Sequence, residues 1–173
     1  MVPQASGEGA PAQGSRLVTR SEPSPWGALL LAALAVIGLG VAGYLTSVHY
    51  AGTPLICSDK GTVNCGLVLS SAYSVIPGTS LPISVPGLAY FLVSLALALG
   101  QLRRPQNYGL RQAHAAWAGL GLLTALYLVF VELVELRTIC LWCTSVHVVI
   151  LLTLLLTIWR LYPAPDGGVQ RVT

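Results

Sequence analysis

Four apolar segments, each close to the length of a membrane-spanning helix, limit what this chain can fold into. They run over residues 26–48, 84–102, 112–136 and 141–159. A helix needs about 20 such residues to cross a hydrocarbon core of about 30 Å, and a backbone in lipid has to satisfy its polar groups within the helix itself. Only 9% of the residues are charged, against about a quarter in soluble proteins. The sequence therefore predicts an all-α integral membrane protein, a bundle of four transmembrane helices.

The segments outside the spans suggest three domains. Residues 1–25 are rich in Pro, Gly, Ser, Ala and Gln and have too little apolar surface to fold, which predicts a disordered tail. The first apolar segment is too long for a signal-peptide core and follows a polar tail, so we interpret it as a membrane anchor. We expect a transmembrane domain over residues 26–160 and a second short tail over residues 161–173.

The basic residues are divided unequally between the two sides of the predicted bundle. The side with both termini holds Arg16, Arg20, Arg103, Arg104, Arg111, Arg160 and Arg171, whereas the other holds only Lys60 and Arg137. This bias predicts that both tails are cytoplasmic and that the loop of residues 49–83 is extracytoplasmic. The net charge of +3 then reflects topology and a lipid bilayer as partner. No basic stripe with interleaved aromatic residues indicates nucleic-acid binding.

All four cysteines fall on the predicted outer side. Cys57 and Cys65 lie in the long loop, and Cys140 and Cys143 lie at the start of the fourth apolar segment. Disulfides persist in such a compartment, but four cysteines permit three pairings that spacing alone does not resolve. A structural bridge suits the loop pair, whereas a bridge between Cys140 and Cys143 would restrain little of the unfolded chain. A helix N-terminus favours a thiolate, so the pattern favours a redox pair there over structural cysteines or a four-cysteine zinc site.

Three ionisable residues near these cysteines have open roles. On a helix, His147 shares a face with Cys140 and Cys143. It is either a functional group, since ionisable side chains in membranes tend to mark sites, or a polar group satisfied by a neighbouring helix. We expect Glu132 and Glu135 to be solvated carboxylates at the membrane interface, with proton transfer as the alternative.

Three stretches carry a recognisable combination of motifs. They are "CSDKGTVNCGLVLSSAYSVIPG", "LPISVPGLAYF" and "TICLWCTSVH", in that order. Paired loop cysteines, a Cys-x-x-Val-x-Ser-Ser run, a Pro-rich approach ending in Gly87 and a Cys-x-x-Cys together resemble the vitamin K epoxide reductase family, in particular its bacterial homologues that make disulfides. The resemblance covers about residues 26–160.

The resemblance implies a four-helix bundle around a quinone, with an extracytoplasmic cap between the first two transmembrane helices that contains a short helix. It makes Cys140 and Cys143 the catalytic pair, with Cys143 nearer to the quinone. It makes Cys57 and Cys65 the electron shuttle to a thioredoxin-fold, DsbA-like partner. The quinone would be of the menaquinone, ubiquinone or vitamin K type.

The resemblance also suggests supporting residues. Ser70 and Ser71 match serines of the family, and their alternative role is bonding to local backbone. Some members carry a tyrosine at the position of His147, so the resemblance does not identify the hydrogen-bond donor to the quinone here. Aromatic side chains also commonly anchor helices at the membrane interface. Candidates for the quinone pocket are Tyr90, Phe91, Trp142 and His147.

The resulting hypothesis is a quinone-dependent thiol oxidase of a bacterial inner membrane that supports disulfide formation. The chain ends about a dozen residues after the fourth apolar segment, so we expect the partner to be a separate protein. One alternative keeps the fold but makes the protein a reductase of vitamin K quinone or its epoxide. Another is a non-enzymatic membrane protein with structural cysteines.

Overall fold

The computed structural model describes residues 25–53, 55–57 and 61–162. Residues 1–24 and 163–173, which make up nearly all of the two predicted tails, lie outside it. The helices in the described part of the chain are Pro25–Ala51 (α1), Cys65–Ser70 (α2), Ser84–Arg103 (α3), Tyr108–Phe130 (α4) and Leu141–Leu161 (α5). Of these, α1, α3, α4 with its continuation to Glu135, and α5 are long and apolar enough to cross a membrane. The prediction of an all-α four-helix membrane protein is confirmed.

Small residues let α1 pack closely against its neighbours. Its buried positions repeat every three or four residues, which places them on one face, and they are Gly27, Ala28, Leu31, Ala35, Gly38, Ala42 and Leu45. Small side chains at helix interfaces allow close backbone approach in membranes, where lipid removes the hydrophobic drive for helix association. The ring of Phe91 from α3 lies directly on Gly38, where a Cβ atom would overlap it.

The outer faces of the bundle are apolar. Between 22 and 33% of each spanning segment is buried within the protein, and large apolar side chains such as Leu92, Leu123 and Leu155 are exposed. An apolar surface of this extent is unfavourable in water and suits lipid. The chain is a multi-pass membrane protein.

A buried polar network ties the spanning helices together at the end of the bundle away from the cysteines. Arg160 on α5 donates from Nη1 to Oε1 of Gln101 on α3 at 2.6 Å, and Nε2 of Gln101 lies 2.9 Å from Nδ1 of His114 on α4. Gly27 of α1 lies against the Arg160 side chain, with room for no Cβ atom. The network therefore involves all the spanning helices.

The segment between α1 and α3 forms a compact cap. Asn64 caps α2 by accepting a hydrogen bond from the Leu67 N–H at 2.8 Å, which satisfies one of the free donors at the helix start. A 3-10 turn, Ala72–Ser74, follows. The Ile83 N–H then donates to the Ser74 carbonyl at 2.8 Å, so the chain folds back before entering α3.

The connection between α4 and α5 is tight and irregular. The last turn of the third span, Val131–Glu135, is a π-helix, and Arg137 has a φ of 50°, a left-handed conformation that side chains other than glycine adopt rarely. The chain then runs extended to Cys140, which is the N-cap residue of α5. Cys140 therefore precedes α5, whereas Cys143 lies in its first turn.

Candidate redox site

The cap is docked onto the α4–α5 connection by backbone hydrogen bonds. The Ile139 N–H donates to the Thr62 carbonyl at 2.9 Å, and the Asn64 N–H donates to the Ile139 carbonyl at 3.2 Å. The hydroxyl of Thr138 donates to the same Thr62 carbonyl at 3.1 Å. These bonds join residues flanking Cys65 to residues flanking Cys140.

All four cysteines belong to one cluster. Cys57 and Cys65 form a disulfide within the cap, whereas Cys140 and Cys143 carry free thiols. Cys65 and Cys140 are fully buried in a common hydrophobic cluster, against which Cys57 and Cys143 also pack. The cluster thus brings a disulfide and a dithiol into contact, which is the arrangement that thiol–disulfide exchange requires.

Cys140 is the more acidic thiol of its pair for a local reason. Hydrogen bonding with the Cys143 side chain, and with the Cys143 backbone N–H, lowers the pKa of Cys140 against the opposing effects of burial and of the nearby Glu132 carboxylate. The Cys140 sulfur lies 3.4 Å from that N–H. An N-cap sulfur thus uses a free donor at the helix start to stabilise its thiolate.

A cavity of about 550 Å³ lies between the spanning helices and the cap. This volume is typical of a site for a small organic molecule, roughly 300–1,000 Å³. Its wall is overwhelmingly apolar and includes Cys143 and His147. Cys140 is not part of that wall, so the two thiols of the pair have different neighbours.

Aromatic side chains from α3 and α4 shape one side of this cavity. Tyr90 stacks on Trp117 with ring centroids 5.7 Å apart, and the Trp117 indole N–H donates to the Tyr90 carbonyl at 3.1 Å. The Tyr90 ring also fits against Gly121, where an added Cβ atom would lie 2.5 Å from it. Phe91 lines the cavity beside Tyr90. The predicted pocket residues Tyr90, Phe91 and His147 are thus brought together.

Trp142, also predicted to line this pocket, has a different position. Its indole N–H donates to the Ile56 carbonyl at 3.0 Å, and its ring lies 4.8 Å from that of Tyr44. Trp142 follows Cys140 by two residues at the start of α5, so its side chain points toward the cap whereas Cys143 points toward the cavity. The structure therefore places Trp142 at the cap.

The two predicted supporting serines bond to local backbone. Ser70 donates to the Leu67 carbonyl at 3.3 Å, and Ser71 donates to the Val68 carbonyl at 2.7 Å. Ser74, which was not predicted from the sequence, lies at the cavity. These contacts correspond to the backbone-bonding alternative for Ser70 and Ser71.

Several cavity residues are not expected from the sequence. The cap contributes Leu69, Ser74, Ile76, Pro82 and Ile83, and α4 contributes Trp117, Gly121 and Thr124. The α4 residues repeat at helical spacing, and this is the one local signal that could have identified them. Apart from Leu69 of α2, the cap residues belong to the folded-back chain before α3.

Glu132 differs from the expectation of a solvated interface carboxylate. Only 6% of the residue is exposed, and its Oε2 accepts a hydrogen bond from the Cys140 N–H at 3.4 Å. Glu132 lies in the π-helical turn that ends the third span, where it is one of two buried residues. Glu135 is exposed, as predicted.

The fold and the site define a class: an integral membrane protein in which a cap disulfide meets a helix-start dithiol beside an apolar cavity. The model of the vitamin K epoxide reductase family matches residues 29–158. The chain belongs to that family, as its motifs indicated. Membership makes it an oxidoreductase of the kind that exchanges thiols and disulfides and uses a quinone.

Proposed function

We propose that this protein is a quinone-dependent thiol oxidase that reoxidises a separate thioredoxin-fold, DsbA-like partner and so supports disulfide formation. The observation that carries the proposal is the order of groups in the site. The Cys57–Cys65 disulfide is in the cap, the Cys140–Cys143 pair lies beneath it, and Cys143 opens onto the cavity. Electrons entering at the cap have a short route to that cavity.

The steps are successive thiol–disulfide exchanges. A partner thiolate attacks the Cys57–Cys65 disulfide, and the partner's second thiol completes the exchange, so that the partner is oxidised and the cap pair is reduced. A cap thiolate then attacks the Cys140–Cys143 disulfide in the same way. Each complete exchange moves two electrons and two protons.

The cavity fits a quinone ring by volume and by chemistry. Its apolar wall suits a planar aromatic ring and its isoprenoid tail, and Tyr90, Trp117 and Phe91 provide flat surfaces for packing. A bound quinone supplies a two-electron acceptor. The support for Cys143 as the electron donor is that it alone of the pair lies on the cavity wall.

The acceptor in this proposal has to be strongly oxidising, because a DsbA-type partner has a reduction potential of about −120 mV. A quinone that respiration keeps oxidised meets this requirement. We further propose a bacterial inner membrane, with both termini in the cytoplasm and the cysteines on the extracytoplasmic side. The support is the excess of arginine on the side of the termini.

A Cys143→Ala variant tests the proposal. In detergent with a short-tailed quinone and a reduced DsbA-like protein, we expect quinone reduction to be abolished in this variant. The matched control is Ser145→Ala, an exposed position two residues further on, which should keep wild-type activity. Full activity in Cys143→Ala would refute the proposed electron route. Turnover of vitamin K epoxide with a dithiol, measured in parallel, would instead favour the reductase alternative.

A further inference from the structure

A buried carboxyl group, that of Glu132, lies in contact with the thiol pair, and the exchange steps described above give it no role. Its Oε2 accepts from the Cys140 N–H at 3.4 Å. The Cys143 thiol interacts with the same side chain, and the Cys143 N–H lies 3.4 Å from the Cys140 sulfur. One carboxyl group thus lies beside both members of the pair.

The surroundings of Glu132 provide little water to take up protons. The residue is 6% exposed, Cys140 is fully buried, and the cap covers the pair. A second cavity, of about 330 Å³ between α4 and α5, is lined by Glu132, Thr144 and His147 among mainly apolar residues. His147 also lines the larger cavity. Glu132 and His147 thus share a cavity, and His147 also borders the larger one.

Oxidation of the pair requires a proton acceptor. When Cys140 and Cys143 become a disulfide, two electrons and two protons leave the sulfur atoms. In the site proposed above the electrons go to the quinone. Without a base at the sulfur, the proton of Cys143 would have to leave through an apolar wall.

We propose that Glu132 is the base that accepts the Cys143 proton as the Cys140–Cys143 disulfide forms and that holds it while the pair stays oxidised, a role that rests on the thiol oxidase function. Cys140 enters this step as the thiolate that the Cys143 N–H stabilises, having already lost its own proton. The Cys143 S–H bond breaks, an O–H bond forms on the Glu132 carboxylate, and the S–S bond to Cys140 forms. The two electrons would pass to a bound quinone, which would become a hydroquinone by taking up two protons from its surroundings. A general base of this kind contributes about 100-fold or more to rate.

Few ionisable groups surround Glu132 in the described part of the chain. Those from α5 and its N-cap are Cys140, Cys143 and His147. On the α4 side, Glu135 is exposed, and Arg137 in the connection is exposed as well. The facing helix of the cap, α2, carries no ionisable side chain apart from that of Cys65, which is in the disulfide. Among these groups, Glu132 is the buried carboxylate that can take a proton from the thiol pair.

The decisive experiment measures the pH dependence of the reduction potential of the Cys140–Cys143 pair in quinone-free protein, for wild type and Glu132→Gln. If Glu132 retains a proton when the pair is oxidised, wild type releases one proton fewer than the variant. One proton changes the equilibrium tenfold per pH unit, so the wild-type slope should be smaller by about 30 mV per pH unit. Glu135→Gln, three residues away, should match wild type.

A purely positioning role for Glu132 makes a different prediction. If the carboxylate only holds the Cys140 N–H, the slopes of wild type and Glu132→Gln will be the same, and that result would overturn the proposal. Glu132→Asp keeps a carboxyl group and should restore the smaller slope. Infrared difference spectra of the wild type need no variant: oxidation of the pair should produce a protonated carboxyl band, and its absence would also count against the proposal.

These measurements separate the proton acceptor from the proposed function, because they use neither quinone nor partner. A shifted slope without any quinone reductase activity would support Glu132 as the base and overturn the thiol oxidase. Quinone reductase activity with equal slopes would do the reverse. In turnover with quinone, Glu132→Gln should be slower by about 100-fold at neutral pH and should recover with rising pH.

Discussion

The replacement Trp142→Phe tests whether Trp142 belongs to the cap or to the cavity. It removes the indole N–H that donates to the Ile56 carbonyl at 3.0 Å, yet it keeps an aromatic ring against Tyr44. Because Ile56 is next to Cys57, this bond attaches the start of the cap to α5. We expect the variant to loosen the cap and to leave the cavity unchanged.

The size of the effect follows from the single bond lost. A neutral hydrogen bond contributes about 0.5–1.5 kcal/mol net, and the exposed position of this one lets water replace part of it. A loss of about 1 kcal/mol corresponds to about a fivefold larger open fraction of the cap. Hydrogen exchange measures this fraction at the Asn64 and Ile139 amides, which bond across the cap and the connection.

Trp117→Phe is the matched control, because it also removes one indole hydrogen bond but lies at the cavity. It should raise the KM for quinone about threefold to tenfold, by the loss of about 1 kcal/mol of positioning, and leave exchange at the cap amides unchanged. Trp142→Phe should instead leave the KM for quinone unchanged and speed exchange of the cap amides. A raised KM for quinone in Trp142→Phe, with unchanged exchange of the cap amides, would refute the assignment of Trp142 to the cap.

Two further predictions concern the cavity and the thiols. Gly121→Val places methyl groups where the Tyr90 ring lies and should abolish quinone binding, measured by fluorescence quenching. Gly119→Val is the control, because the space around Gly119 is open, and it should bind quinone normally. Equal binding by both variants would contradict the placement of the cavity. Hydrogen bonding with Cys143 is the chief cause that lowers the pKa of Cys140, so Cys140 ionises at a lower pH than an ordinary thiol does. Cys143→Ala should therefore move the ultraviolet thiolate titration of Cys140 to higher pH. A shift to lower pH would contradict this cause.

The spanning helices and the Cys140–Cys143 motif could be predicted from the sequence because their signals are local, whereas the joint role of Cys57 and Cys65 came from the family resemblance. An apolar run of about 20 residues specifies a spanning helix without reference to the rest of the chain, and the Cys-x-x-Cys at residues 140–143 is readable at the start of such a run. The expectations of a cap and of a bound quinone came from the family motifs. Confirmation of the family and of the four-helix fold depends on these features.

The interior of the site could not be predicted because it depends on side-chain direction and on distant segments. Trp142 and Cys143 are adjacent in sequence, but the helix turns them toward the cap and toward the cavity, respectively. The sequence places Glu132 in solvent, since neither its residue type nor its spacing reveals a π-helical turn. Ser74 reaches the cavity because the chain folds back there, and the hydrogen bond from the Ile83 N–H to the Ser74 carbonyl stabilises this fold-back.

The polar network of Arg160, Gln101 and His114 has a consequence for how the protein is made. Arg160 lies near the end of α5, the last spanning helix to be synthesised in the described chain. Until α5 docks, Nε2 of Gln101 can bond to His114 of α4, but Oε1 lacks its guanidinium partner, and an unsatisfied polar atom in a membrane is costly. A chain in which α5 is truncated or misinserted thus has an unpaired polar atom at Gln101 within the membrane. The same contact that joins the finished helices distinguishes a complete chain from an unfinished one.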